Sequence, residues 1–156
     1  MTLAIDYFLS PQSPWTYLGH ERLAEIAAKA GATINVLPVD LGRVFPVSGG
    51  LPLAKRAPQR QAYRLVELKR FSEHLGRPLN LHPRYFPVAS DDAAKLIIAV
   101  DSHEGSAAAM KIAAAILRGV WVEEKNIADP NVLQAMLAAT DLPARRAMSR
   151  KRWWPR

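Results

Sequence analysis

Two serines three residues apart, in Ser10-Pro11-Gln12-Ser13, stand where an apolar strand gives way to a helix. Pro14 suits the first helical position and Ser13 the N-cap before it. A helix start presents free backbone N–H groups and a positive dipole end, both of which favour an anion. A hydroxyl beside them can donate a charge-assisted hydrogen bond to a thiolate carried by a ligand. The same residues also fit a plainer role, with Ser13 as an N-cap and Ser10 as a turn residue. The chain holds no cysteine. That excludes a disulfide scaffold, a thiol nucleophile, disulfide exchange and Cys-ligated zinc.

Charge supplies the second chemical feature. The 156 residues carry a formal +7, and six of the basic residues (Arg145, Arg146, Arg150, Lys151, Arg152, Arg156) fall in the last stretch. Without those six, 15 basic residues face 14 acidic ones. Within the body, residues 43–84 hold nine basic side chains against only Glu67 and Glu73. One basic segment thus suits an anionic ligand, and the tail forms another. The four histidines are scattered, with no metal-ligand spacing beside an acid, and are read as structural.

These groups must be held by elements that the sequence punctuates clearly. Residues 2–9 read as a strand, and a helix follows from Pro14 with Trp15, Leu18, Leu23, Ile26, Ala27 and Ala30 as its apolar set, closed by Gly31. Residues 33–39 read as a second strand, so strand, helix and strand form a parallel βαβ unit. Residues 41–58 read as loop because of Pro46, Gly49, Gly50 and Pro52. Helices are expected over 58–75, from a Ser90 cap to Gly105, over 106–120, and from Asp129-Pro130 to 139. A two-stranded sheet is too small to stand alone. The most apolar run, 107–117, is short and broken by Lys111, and residue 6 is an acid within the N-terminal run. A soluble cytoplasmic domain without membrane span or signal peptide is therefore expected.

Thioredoxin-like oxidoreductases place Cys-x-x-Cys at the strand-to-helix junction where this chain has Ser10 and Ser13. The stretch Leu9-Ser10-Pro11-Gln12-Ser13-Pro14-Trp15-Thr16-Tyr17-Leu18-Gly19 resembles the active-site signature of the 2-hydroxychromene-2-carboxylate isomerases. Those are relatives of kappa-class glutathione transferases on the DsbA-like branch of the thioredoxin fold. Three further stretches agree in order and spacing. They are Gly49-Gly50-Leu51-Pro52-Leu53 with Pro58-Gln59-Arg60-Gln61-Ala62-Tyr63-Arg64, then Tyr85-Phe86-Pro87-Val88, then Val120-Trp121 with Asn126-Ile127-Ala128-Asp129-Pro130. The similarity runs from about residue 5 to about residue 141.

The resemblance implies an α/β, thioredoxin-like βαβ unit with a helical DsbA-like insertion (about 41–140) in a domain spanning 1–141. It implies glutathione as cofactor, with Ser10 holding its sulfur as thiolate and Arg60 facing its carboxylates. Tyr63 and Glu67 follow on the same helix face, as glutathione contacts or as a core aromatic and a solvated carboxylate. Arg84 and Tyr85 suit the carboxylate and the ring of an anionic aromatic substrate, or serve as ordinary surface and packing groups. Gly50 stands about where kappa-class relatives carry a ligand-binding asparagine. The implied reaction is cis–trans isomerisation and ring opening of an aromatic carboxylate, by a homodimer.

Relatives continue with a ββα segment that carries a cis-proline loop. In its place stands the basic Trp/Arg tail 142–156, read as irregular and as a truncation or frameshift product. Loss of those strands is expected to leave the first strand with an open edge and to weaken glutathione binding. Three alternatives follow: a general kappa-like glutathione transferase, a non-catalytic remnant, or a nucleic-acid binder using Trp153 and Trp154 as stacking platforms. The near-neutral body argues against nucleic acid.

Overall fold

A computed structural model describes residues 3–140. Strand β1 (Ala4–Leu9), helix α1 (Pro14–Lys29) and strand β2 (Thr33–Pro38) come first. The two strands pair in parallel, from Ala4 opposite Thr33 to Leu9 opposite Pro38, so the βαβ reading holds. Helices α2 (Leu41–Ser48), α3 (Pro58–Leu75), α4 (Asp91–Glu104), α5 (Ser106–Trp121) and α6 (Pro130–Ala139) follow, with a 3-10 turn at Leu53–Lys55. The architecture is thioredoxin-like, with a helical insertion. The basic tail 142–156 lies outside the described residues.

Local signals explain most of these boundaries. Ser13 caps α1 through Thr16 N–H at 3.3 Å, and Asp129 caps α6 through Asn131 N–H at 2.8 Å. Gly76, with φ of +62°, ends α3 in a left-handed turn that favours glycine. Segment 41–48, read as loop, is instead a short helix. Asp40 caps it through Gly42 N–H at 2.8 Å, and Gly49 at φ +74° closes it. Those two ends outweigh the single backbone bond that Pro46 removes. Ser90 stands at the start of α4 but makes no side-chain cap bond; its hydroxyl instead faces the Gln12 amide.

The core lies between the sheet and the pair α4–α5, with Ile97, Ile112, Ile116 and Trp121 wholly buried. The inward stripe of α1 differs from the one predicted. Leu18 and Ala27 are buried, joined by Tyr17 and His20, while Trp15 and Ile26 are 42% and 52% exposed. Tyr17 and His20 can be buried because each finds polar partners. Tyr17 OH donates to Pro78 O at 2.7 Å. His20 Nε2 donates to Met110 O at 3.0 Å, which leaves Nδ1 to accept from Tyr7 OH at 3.1 Å. Burial holds His20 below its usual pKa and pushes Tyr7 up to about 12. This histidine is structural, as read.

Among the described residues the sheet has two strands, so the outer edge of β1 is unpaired. Its outer face leaves Phe8 65% exposed beside Leu37. No helix among these residues is long and apolar enough to cross a membrane.

Candidate active site

Ser10 sits directly after β1, and its carbonyl accepts from Ser13 N–H at 3.0 Å, which turns the chain into α1. The residue is only 9% exposed. Among the described residues its hydroxyl has no hydrogen-bond partner. Ser13 Oγ is occupied by the cap, so the two serines divide the work. One builds the helix start and the other is left available beside it.

Gln12, between them, is a site residue that local reasoning did not single out. Its side-chain amide makes a two-bond pair with the backbone of Val88. Nε2 donates to Val88 O at 2.9 Å, and Val88 N–H donates to Oε1 at 3.1 Å. The amide thereby copies a backbone–backbone pair and fastens residues 86–88 beside the strand-to-helix junction. That segment is also anchored from the other side. Phe86 packs on buried Trp121 with ring centroids 4.8 Å apart, and Asn80 N–H donates to Trp121 O at 2.7 Å. No sequence signal marks this contact, since 76 residues separate its ends. The Phe86–Pro87 peptide bond is cis.

Helix α3 presents two different flanks. Tyr63 and Glu67 come together, as the helical spacing predicts, in an open cleft of about 410 Å³ with Arg70, Phe71 and His74. Trp15 of α1 meets Phe71 edge to face at 5.7 Å, which joins that cleft to the first helix. The opposite flank carries Arg64 and Leu65 into a second cleft of about 380 Å³, closed by Leu81, Phe86 and Pro87. Arg60 lies exposed on the first turn of α3 and lines neither cleft. Ser10 is likewise absent from both linings. Arg84 is exposed and stacks on its neighbour, its guanidinium carbon 5.3 Å from the centroid of the Tyr85 ring. A Cβ at Gly50 would sit 2.7 Å from the Phe45 ring, so this position has no room for an asparagine unless that ring moves.

A smaller pocket of about 130 Å³ lies behind α1, at Tyr17, His20, Glu21 and Arg77. Arg77 and Glu21 form a bidentate pair there, one arm at 2.6 Å. The pair holds the Glu21 carboxyl below its usual range. The arrangement locks the end of α3 to α1, and both arms of the Arg77 fork are taken by Glu21.

With this geometry in place, comparison with known proteins is informative. A family model described as the DSBA-like thioredoxin domain matches residues 4–151. A curated 2-hydroxychromene-2-carboxylate isomerase of Pseudomonas putida is 30% identical over 84 residues, 53% of this chain. The match spans 41% of that relative's length. Among solved structures, a 2-hydroxychromene-2-carboxylate isomerase superposes with a TM-score of 0.62 at 22% identity, covering 88% of this chain and 73% of the other. A candidate protein disulfide isomerase from Nitrosomonas europaea gives 0.65 at 16% identity, covering 92% and 67%. At those identities the two structures speak for the fold.

Proposed function

The chain belongs to the DSBA-like thioredoxin-domain family, and on that premise we propose that it acts as a glutathione-dependent isomerase of an aromatic carboxylate. The observation that carries the reading is the Ser10 hydroxyl, nearly buried and unpartnered among the described residues at the positive start of α1. With serine at both positions 10 and 13, the junction cannot exchange disulfides, but it can hold a sulfur anion belonging to a ligand. When bound, glutathione supplies a nucleophilic sulfur for reversible addition, with no net redox change.

The chain's own residues fit such a ligand. Ser10 Oγ donates to the sulfur, and the helix start adds a favourable field. Glutathione is zwitterionic, and the cleft beside Trp15 offers both signs, with Glu67 for the ammonium and Arg70 for a carboxylate. Arg60 on the turn above is free to take the second carboxylate, for which a planar guanidinium gives two parallel bonds. Tyr63 supplies a half-exposed ring against the peptide. Arg84 and Tyr85 are assigned to the approaching aromatic anion.

A calorimetric titration with glutathione tests the reading, comparing the unaltered chain with Ser10→Ala. Saturable binding, weakened about tenfold or more in the variant, supports it. Absence of binding by a folded sample, or equal binding by both, overturns it. A spectrophotometric assay with 2-hydroxychromene-2-carboxylate then separates an isomerase from a general kappa-like transferase.

A further inference from the structure

The second cleft, on the far flank of α3, contains a charge that no described residue answers. Arg64 is half-buried between α3 and residues 81–87, and no carboxylate among the described residues pairs with it. Another cation adds to its isolation. Burial first, and then Arg56, lower its pKa. Arg56 is itself held in place, its Nε donating to Leu51 O at 2.9 Å. Its carbonyl accepts from Gln61 at 2.8 Å, and Gln61 lines the cleft.

The Arg64 guanidinium lies over the Phe86 ring, with its carbon 5.7 Å from the centroid. No hydrogen bond among the described residues occupies the guanidinium N–H groups, whose planar fork matches a carboxylate. The floor is rigid because Phe86 rests on Trp121, which is wholly buried. Leu53, Leu65, Leu81 and Pro87 make most of the remaining wall apolar, with Gln61 and His82 as its polar members. The volume, about 380 Å³, lies within the usual range of small-molecule sites, about 300–1,000 Å³. A carboxylate with a compact apolar ring satisfies both the cation and the walls.

We propose that the cleft between α3 and residues 81–87 is a binding site for a small ring-bearing carboxylate, with Arg64 as its main carboxylate ligand and Arg56 as a supporting cation. Arg84 follows the lining residue Pro83 in the chain. Identifying this ligand with the reactant rests on the isomerase reading above; its binding does not.

The test uses the whole chain, without glutathione, and benzoate as probe, followed by amide chemical shifts at constant ionic strength. Saturable shifts are expected around Leu53, Leu65 and Phe86. Neutral benzamide and ringless acetate should each bind at least about tenfold more weakly. Arg64→Gln should lose about tenfold or more in benzoate affinity, Arg64→Lys should lose less, and Lys29→Gln on α1 should change nothing. Equal binding of benzoate and benzamide, shifts centred on Tyr63 and Phe71, or an unaffected Arg64→Gln would overturn the assignment. Should Arg64→Gln fail to fold by circular dichroism, Arg56→Gln decides: weaker benzoate binding supports the site, and unchanged binding refutes it. Failed glutathione binding with benzoate binding intact would count against the isomerase reading alone.

Discussion

Replacing Gln12 by alanine tests whether one side chain holds the junction to the loop that faces it. The variant removes both bonds to Val88, at 2.9 and 3.1 Å, and the weaker approach to Ser90 Oγ at 3.4 Å. Each of the two good bonds contributes about 1 kcal/mol net, and the half-buried Val88 groups are left without a protein partner. A loss of about 2 kcal/mol is expected, which for a chain of this size lowers Tm by about 4–8 °C. Urea unfolding monitored by circular dichroism measures it, with an unchanged m-value showing that the folded state stays equally compact. Gln12→Glu keeps the shape and one acceptor but sets a carboxylate against Val88 O, so it should cost more than the alanine variant. A loss under about 0.5 kcal/mol in Gln12→Ala, or a glutamate variant as stable as the original, would refute the bridge.

Two further outcomes follow from the charges. Arg60→Ala should raise the KM for glutathione about tenfold while leaving kcat within about twofold, since the side chain is assigned to carboxylates remote from the reacting sulfur; steady-state kinetics at varied glutathione would show a kcat effect instead if the position were misassigned. His20 makes stability pH-dependent: its folded pKa is lowered by burial, so the stability it contributes is complete above the unfolded value of about 6.5 and is lost as pH falls below it. Urea midpoints should therefore decline from pH 7.5 to 5.5, above the range where the depressed carboxyls of Glu21 and Glu123 titrate. A His20→Gln variant that declines just as steeply would show that another group is responsible.

The βαβ unit was legible because its punctuation is local. Pro14 opens α1, Gly31 follows its end and Asp129-Pro130 starts α6, each through backbone geometry that neighbouring residues alone determine. The short helix α2 was missed because Pro46 outweighs its caps when single residues are read one at a time, whereas in the folded chain Asp40 and Gly49 act together. The α1 stripe was misjudged for a different reason. Hydrophobicity alone sends Trp15 inward and Tyr17 and His20 outward, but Pro78 O and Met110 O, from distant segments, make burial of the polar pair favourable. Gln12 belongs to the same class of silent residue. The place of Ser10 between β1 and α1 follows from local punctuation, whereas which flank of α3 each arginine faces depends on residues 81–87, whose path no periodicity describes.

The basic segment 43–84 reads in sequence as one undivided positive run, yet burial separates its members. Arg43, Lys55, Arg60, Lys69, Arg70 and Arg84 are exposed, where water screens them. Arg56, Arg64 and Arg77 are drawn partly inside. Removing a guanidinium from water is unfavourable unless an anion or a set of acceptors replaces the lost solvent. Arg77 meets most of that requirement through the two arms of Glu21, with its Nε left buried and without a partner among the described residues. Arg56 meets part of it through Leu51 O. Among the described residues Arg64 meets it with the Phe86 ring alone, which offers less than a carboxylate does. A chain that needed positive charge merely for solubility would leave Arg64 in water with its exposed neighbours. Holding it half-buried beside a second cation is costly in the unliganded state, and that cost is offset only when an anion arrives.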